Sequence, residues 1–266
     1  MQNSKPIQRV GLAGCGALGS IIADGLHRGI GGYRMIGIAE IRPMDLPAPR
    51  MEFAELAEQS DYVIEALPPN VVPELASEVL PRGKKLLLLS AAALLRFPEI
   101  MEMAVPGQLL VTSGALSGID AVRAFALRGI KSAKLISAKP PHALAGAPYV
   151  VDHKMNMATI TSPLRIFVGS APDAARGFPA NTNVGVTLAL ACTPYGAKEL
   201  FNITVEIWAD PMAAGNTHKI QVETHDGAVL TSEIFSPPSL INPKSSPQAA
   251  YAMLAHLQTG GGAFEI

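Results

Sequence analysis

The chain has 266 residues, enough for one large domain or two modest ones with a substantial apolar core. Apolar residues make up 48% and charged residues 16%, the balance of a folded globular protein and not of a disordered one. A net charge of -1 removes the electrostatic case for nucleic acid or an anionic membrane as partner, and the two cysteines, Cys15 and Cys192, are too few for a disulfide framework and too far apart in sequence to form a CxxC metal pair.

In chain order, residues 1–9 are polar and the apolar stretch after them is broken by glycines, which does not make a signal peptide. A reducing, cytoplasmic setting is the expectation. Val10–Ala13 reads as a strand, and Leu18, Ile21, Ile22 and Leu26 give residues 17–28 helical spacing. Further strands are expected at Arg34–Ala39, Asp61–Ala66, Lys85–Ser90 and Val105–Thr112, with helices at Glu52–Gln59 and Val71–Leu80 between them. The most apolar run, Leu86–Leu95, is too short to span a membrane and reads as a buried parallel strand running into the next element. This alternation predicts an α/β fold: an N-terminal Rossmann-type, doubly wound parallel sheet over residues 1–113.

From about residue 114 the texture changes. Residues 133–138, 164–168, 203–208, 219–223 and 229–235 read as strands joined by turn-rich links, with Thr182–Ala191 the best helix among them. The expectation is a second α+β domain over residues 114–240, built on a mostly antiparallel sheet. A sheet of that kind leaves an open face to cover, so a homodimer is expected. Residues 247–258 read as a helix that returns to the first domain, completing it with segment 241–266, and Gly260-Gly261-Gly262 reads as a flexible end.

The first chemical signal is Gly14-Cys15-Gly16-Ala17-Leu18-Gly19, which follows a strand and opens a helix, with Glu40 at the end of the second strand. Gly14 allows the tight turn, Gly16 a close backbone approach to a diphosphate, and Gly19 close packing of helix on strand. The helix N-terminus at Ala17 and Leu18 offers free N–H groups to the phosphates. Glu40 suits a ribose diol and favours NAD, whereas Arg42 suits a 2′-phosphate and keeps NADP open. Cys15 is read as a small apolar filler.

The second signal is a proton-transfer group. Of the six histidines, His27 and His256 fall on terminal helices, His225 sits in a turn, and His142 and His153 have no distinctive setting. His218 stands where a strand begins, two residues after Asn216, a position that suits a held imidazole.

Five ordered segments then carry a resemblance: Thr112–Asp120 (TSGALSGID), Lys139-Pro140-Pro141, Phe178–Val184 (FPANTNV), Ala209-Asp210-Pro211 with Asn216-Thr217-His218, and Asn242–Ser246 (NPKSS). Together they resemble the L-aspartate dehydrogenase family. The resemblance implies NAD- or NADP-linked interconversion of L-aspartate with iminosuccinate, which hydrolyses to oxaloacetate and ammonia, and a link to NAD biosynthesis through quinolinate. It also implies His218 as the active-site histidine, and Ala115, Asn183 and glycines 14, 16 and 19 as cofactor contacts; no metal is implied. A small dicarboxylic amino acid needs cationic or N–H partners. Lys139 and Lys244 are available, each in a proline turn where a solvated side chain is the simpler expectation.

Two departures, an inserted-looking Thr193–Leu200 and Glu223–Gly227 in place of a small apolar turn, motivate an alternative. In that alternative the same scaffold acts on a different amino acid, oxo acid or semialdehyde.

Overall fold

The computed structural model describes residues 7–30, 32–179, 182–194, 196–197, 199–237 and 246–261. Asn181 and the motif residues 242–245, Lys244 among them, lie outside the described residues. The chain forms two compact units, one running to Gly114 and resuming at Pro247, the other spanning Ala115–Ser246.

The first unit runs β1 (Gln8–Ala13), α1 (Ala17–His27), β2 (Tyr33–Ala39), α2 (Phe53–Gln59), β3 (Tyr62–Glu65), α3 (Val72–Val79), β4 (Lys85–Leu88), α4 (Ala92–Arg96), α5 (Glu99–Met103) and β5 (Leu109–Val111). All strand pairs are parallel, in the order β2-β1-β3-β4-β5. Strands buried on both faces need continuous apolar runs, and Val10, Leu12, Val63, Ile64, Leu86 and Leu87 are fully buried. The Leu86–Leu95 run is shared between two elements, since β4 ends at Leu88 and α4 starts at Ala92. Strand order reverses between β1 and β3, which opens a crevice at their carboxyl ends, where Gly14 and Ala66 lie.

The second unit runs α6 (Ile119–Arg128), β6 (Ile130–Lys139), α7 (Pro141–Leu144), α8 (Pro148–Asp152), β7 (Leu164–Ser170), α9 (Ala171–Gly177), α10 (Thr182–Cys192), β8 (Thr204–Ala209), β9 (Asn216–Thr224) and β10 (Val229–Ser236). Its sheet has the order β10-β9-β6-β8-β7, antiparallel except where β6 pairs with β8. Helices α6, α9 and α10 pack on this sheet, and the core lies between them. On β9 every second residue from Asn216 to Thr224 is buried, the alternation of a strand with one covered face. On the other face Lys134, Trp208 and Lys219 are only partly buried, and Val168 and Phe235 are exposed.

Helix α6 escaped the sequence reading because Val122 is its one fully buried position and charged residues interrupt its apolar stripe. The last element, α11 (Gln248–Gly261), buries Ala250, Met253, Leu254 and Leu257 in the core of the first unit and packs against α1. Gly25 of α1 allows that approach, since a Cβ there would meet Leu254 Cδ1 at 2.5 Å. The expected loose end at Gly260 is corrected: Gly260 and Gly261 close the last turn of this helix. Among the described residues no helix is long and apolar enough to cross a membrane.

Candidate active site

The glycine turn of the first unit is explained position by position. Gly14 has φ +92°, and a Cβ there would also overlap the carbonyl oxygen of Ala66. A Cβ on Gly19 would overlap the carbonyl oxygen of Gly14. Gly16 differs, because the nearest atom to a Cβ there is Arg42 Nη2 at 3.9 Å. Gly14 and Gly19 are therefore needed to close the turn, while Gly16 leaves space above it. Gly16 caps α1 with no side-chain hydrogen bond, and the first turn of α1 holds no acidic residue. The amides at Ala17 and Leu18 and the free space over Gly16 fit a diphosphate.

Glu40 ties this turn to the second strand. Its carboxylate accepts from the backbone N–H of Cys15 at 2.9 Å and of Arg42 at 3.0 Å. It also accepts from Arg42 Nε at 2.9 Å and Nη2 at 2.7 Å. Four donors fill the four lone-pair directions of a carboxylate. The Arg42 guanidinium, with these backbone amides, holds Glu40 down to about 2. Burial, followed by the Glu40 charge, pushes the Cys15 thiol up, which fits the filler role.

In the second unit the buried face of the sheet turns polar at one end. Ser137 and Lys139 of β6, Asn216 and His218 of β9 and Ser236 of β10 are all buried. Ser137 and His218 are register partners, and Ser137 Oγ lies 2.9 Å from His218 Nδ1. Burial, then the Lys139 charge, pushes the His218 imidazole down to about 4. Burial pushes the Lys139 ammonium down to about 8. The result is a neutral, fixed imidazole beside a buried cation.

Of the sequence-derived candidates in this unit, His218 stands in this polar end. Ala115 lies half-buried at the start of the unit, and Asn183 is exposed in the first turn of α10. Other histidines have ordinary settings: His153 stacks on Tyr149 with ring centroids 3.9 Å apart, and His225 sits in the turn after β9. Ser137 was missed and Lys139 was misread as a turn residue. The signal was there: Ala133, Leu135, Ser137 and Lys139 share one face of β6, so two polar residues continue an apolar register. Among the described residues no group of three or more His, Cys, Asp or Glu could hold a metal ion.

One departure, the turn after β9, lies away from this end. The turn at 225–228 follows Thr224, six residues along β9 from His218, or about 20 Å at strand rise. The segment after Cys192 leaves α10 at the end opposite Asn183, about 14 Å along the helix, and Thr193 Oγ1 ties it down by accepting from Phe201 N at 2.9 Å.

Comparison with known proteins agrees with the motifs. A family model described as aspartate dehydrogenase, C-terminal, matches residues 120–259. The chain is 39% identical to L-aspartate dehydrogenase 3 of Bordetella bronchiseptica over 94% of this chain and 93% of that protein. It is 34% identical to L-aspartate dehydrogenase of Bradyrhizobium diazoefficiens, over 94% and 90%. The fold is similar to that of aspartate dehydrogenase from Thermotoga maritima, with TM-score 0.75 and 20% identity over 97% of this chain and 99% of that one. It is more distantly similar to a myo-inositol dehydrogenase from Corynebacterium glutamicum, with TM-score 0.51 and 15% identity over 95% and 86%. By sequence over nearly its whole length, this chain belongs to the L-aspartate dehydrogenase family.

Proposed function

We propose that the chain interconverts L-aspartate with iminosuccinate, and so with oxaloacetate and ammonia, using NAD or NADP. The observation that carries the reading is the buried His218 imidazole, fixed by Ser137 and set beside the Lys139 charge in a chain of this family. When bound, the nicotinamide supplies the hydride acceptor or donor.

The α-amine must be neutral before its carbon can give up hydride, so a base has to take one of its protons. His218 is neutral above about pH 4 and serves as that base. Once it has passed that proton to solvent, the same imidazole draws a proton from water attacking the imine carbon, and it returns protons in the reverse direction. Ser137 holds the ring in one orientation. Gly14, Gly16, Ala17, Leu18 and Gly19 receive the diphosphate, and Glu40 receives the adenosine ribose when Arg42 yields to it. Ala115 and Asn183 are assigned to the nicotinamide end, where positioning brings donor and acceptor carbons together. A homodimer is proposed through the open face of the second sheet, around Trp208 and Phe235.

The test supplies ammonia with oxaloacetate, pyruvate or 2-oxoglutarate, and NADH and NADPH separately. The reading expects ammonia-dependent oxidation of the reduced cofactor that is fastest with oxaloacetate and yields aspartate. Faster turnover of another oxo acid overturns the substrate and leaves the reaction type.

A further inference from the structure

Lys139 ends β6 with its side chain on the buried face, and it is only 6% exposed. Among the described residues its ammonium has no hydrogen-bond or ion-pair partner. The strand's other lysines are satisfied, Lys131 by Glu223 at 2.8 Å and Lys134 by Glu206 at 3.0 Å. Among the described residues, two charged or titratable groups lie near Lys139. One is His218 on β9; the other is Asp210, just past β8, whose carboxylate accepts from Met212 N. Asp210 bonds Lys139 only through its backbone N–H, to the Lys139 carbonyl at 2.9 Å.

Burying a cation without an anion is costly, and an apolar residue at this register would extend the core formed by Ala133 and Leu135. A cation kept there and beside the catalytic imidazole calls for an anion that the described residues do not supply. We propose that Lys139 is a substrate-binding residue whose ammonium pairs with a carboxylate of the dicarboxylic substrate. This rests on the aspartate reading for the identity of the acid and on the unpaired ammonium of a largely buried side chain for the site. A carboxylate at Nζ offsets the burial and places the carbon next to it within reach of the His218 ring.

The test compares wild type with Lys139→Met and Lys139→Arg in the full chain, with succinate as a non-reacting probe. Lys139→Met is expected to weaken succinate inhibition and raise the oxaloacetate KM by about 10–100-fold while NADH affinity stays unchanged, and Lys139→Arg to recover most of the loss. Succinate affinity of the wild type should fall as pH rises through about 8, where the ammonium discharges, and should be flat in the Met variant. Succinate should raise the melting temperature of the wild type and not that of the Met variant.

A Met variant with wild-type succinate affinity and KM overturns the proposal, as does a fall confined to kcat. If the wild type prefers another oxo acid, the aspartate reading fails by itself. The Lys139 proposal is then decided by whether the Met variant raises the KM of that acid.

Discussion

Ser137 and His218 face one another across the β6–β9 ladder, the hydroxyl oxygen of one 2.9 Å from Nδ1 of the other. The remaining ring nitrogen, Nε2, is then the one left for chemistry. His218→Ala should cut turnover by about 10²–10⁴-fold with NADH affinity retained. Ser137→Ala should cut it by about 5–30-fold, the range for one lost buried hydrogen bond. Because both act through one imidazole, the double variant should be no slower than His218→Ala alone. Steady-state kinetics of the three variants decide this, and multiplicative losses would contradict it.

The same burial has a signature in stability. His218 takes a proton at about pH 6.5 in the unfolded chain but only at about 4 when folded, so the unfolded state binds more protons between those values. Stability from this group is complete above 6.5 and is lost as pH falls toward 4. Going from pH 7.5 to 5 should cost the wild type about 2 kcal/mol more than His218→Gln in chemical denaturation. Equal losses would mean that the imidazole is not held neutral by burial.

Two glycines of the dinucleotide turn should separate folding from binding. Gly19→Ala forces a Cβ onto the Gly14 carbonyl, so it should lower stability by about 2 kcal/mol and weaken NADH as well. At Gly16 the nearest atom is 3.9 Å away, so Gly16→Ala should leave the melting temperature in place and weaken NADH alone. Thermal melts and fluorescence titration of NADH read the two effects separately.

The choice of cofactor turns on Arg42. With Glu40 filled by four donors, a ribose diol must displace the guanidinium, whereas a 2′-phosphate can take it over. Arg42→Ala should therefore weaken NADPH by about tenfold relative to NADH. Equal changes for the two cofactors would remove Arg42 from that choice.

Much of this was legible in the residues. The parallel sheet announced itself through apolar runs alternating with helical spacing, and the glycine turn through its strand, its helix and Glu40. His218 was found because it stands where a strand begins beside Asn216. Lys139 was placed in a turn because Pro140 and Pro141 follow it, a local signal that hid a strand continuing to its last inward position. Ser137 was passed over because one hydroxyl in an apolar strand has no periodicity of its own. Its role comes from a partner 81 residues away, which only the fold supplies. The seemingly specific departure near 223–227 lost weight for the same reason, since the length of β9 carries it away from the polar end.

The central claim is transfer of hydride to the carbon that acquires the amine. The direct measurement gives the enzyme oxaloacetate, ammonia and NADH or NADPH with both C4 hydrogens replaced by deuterium, and identifies the product by mass and NMR. The account predicts L-aspartate with one deuterium at C2, formed only when ammonia is present. Deuterated malate formed without ammonia, or unlabelled aspartate, would contradict it.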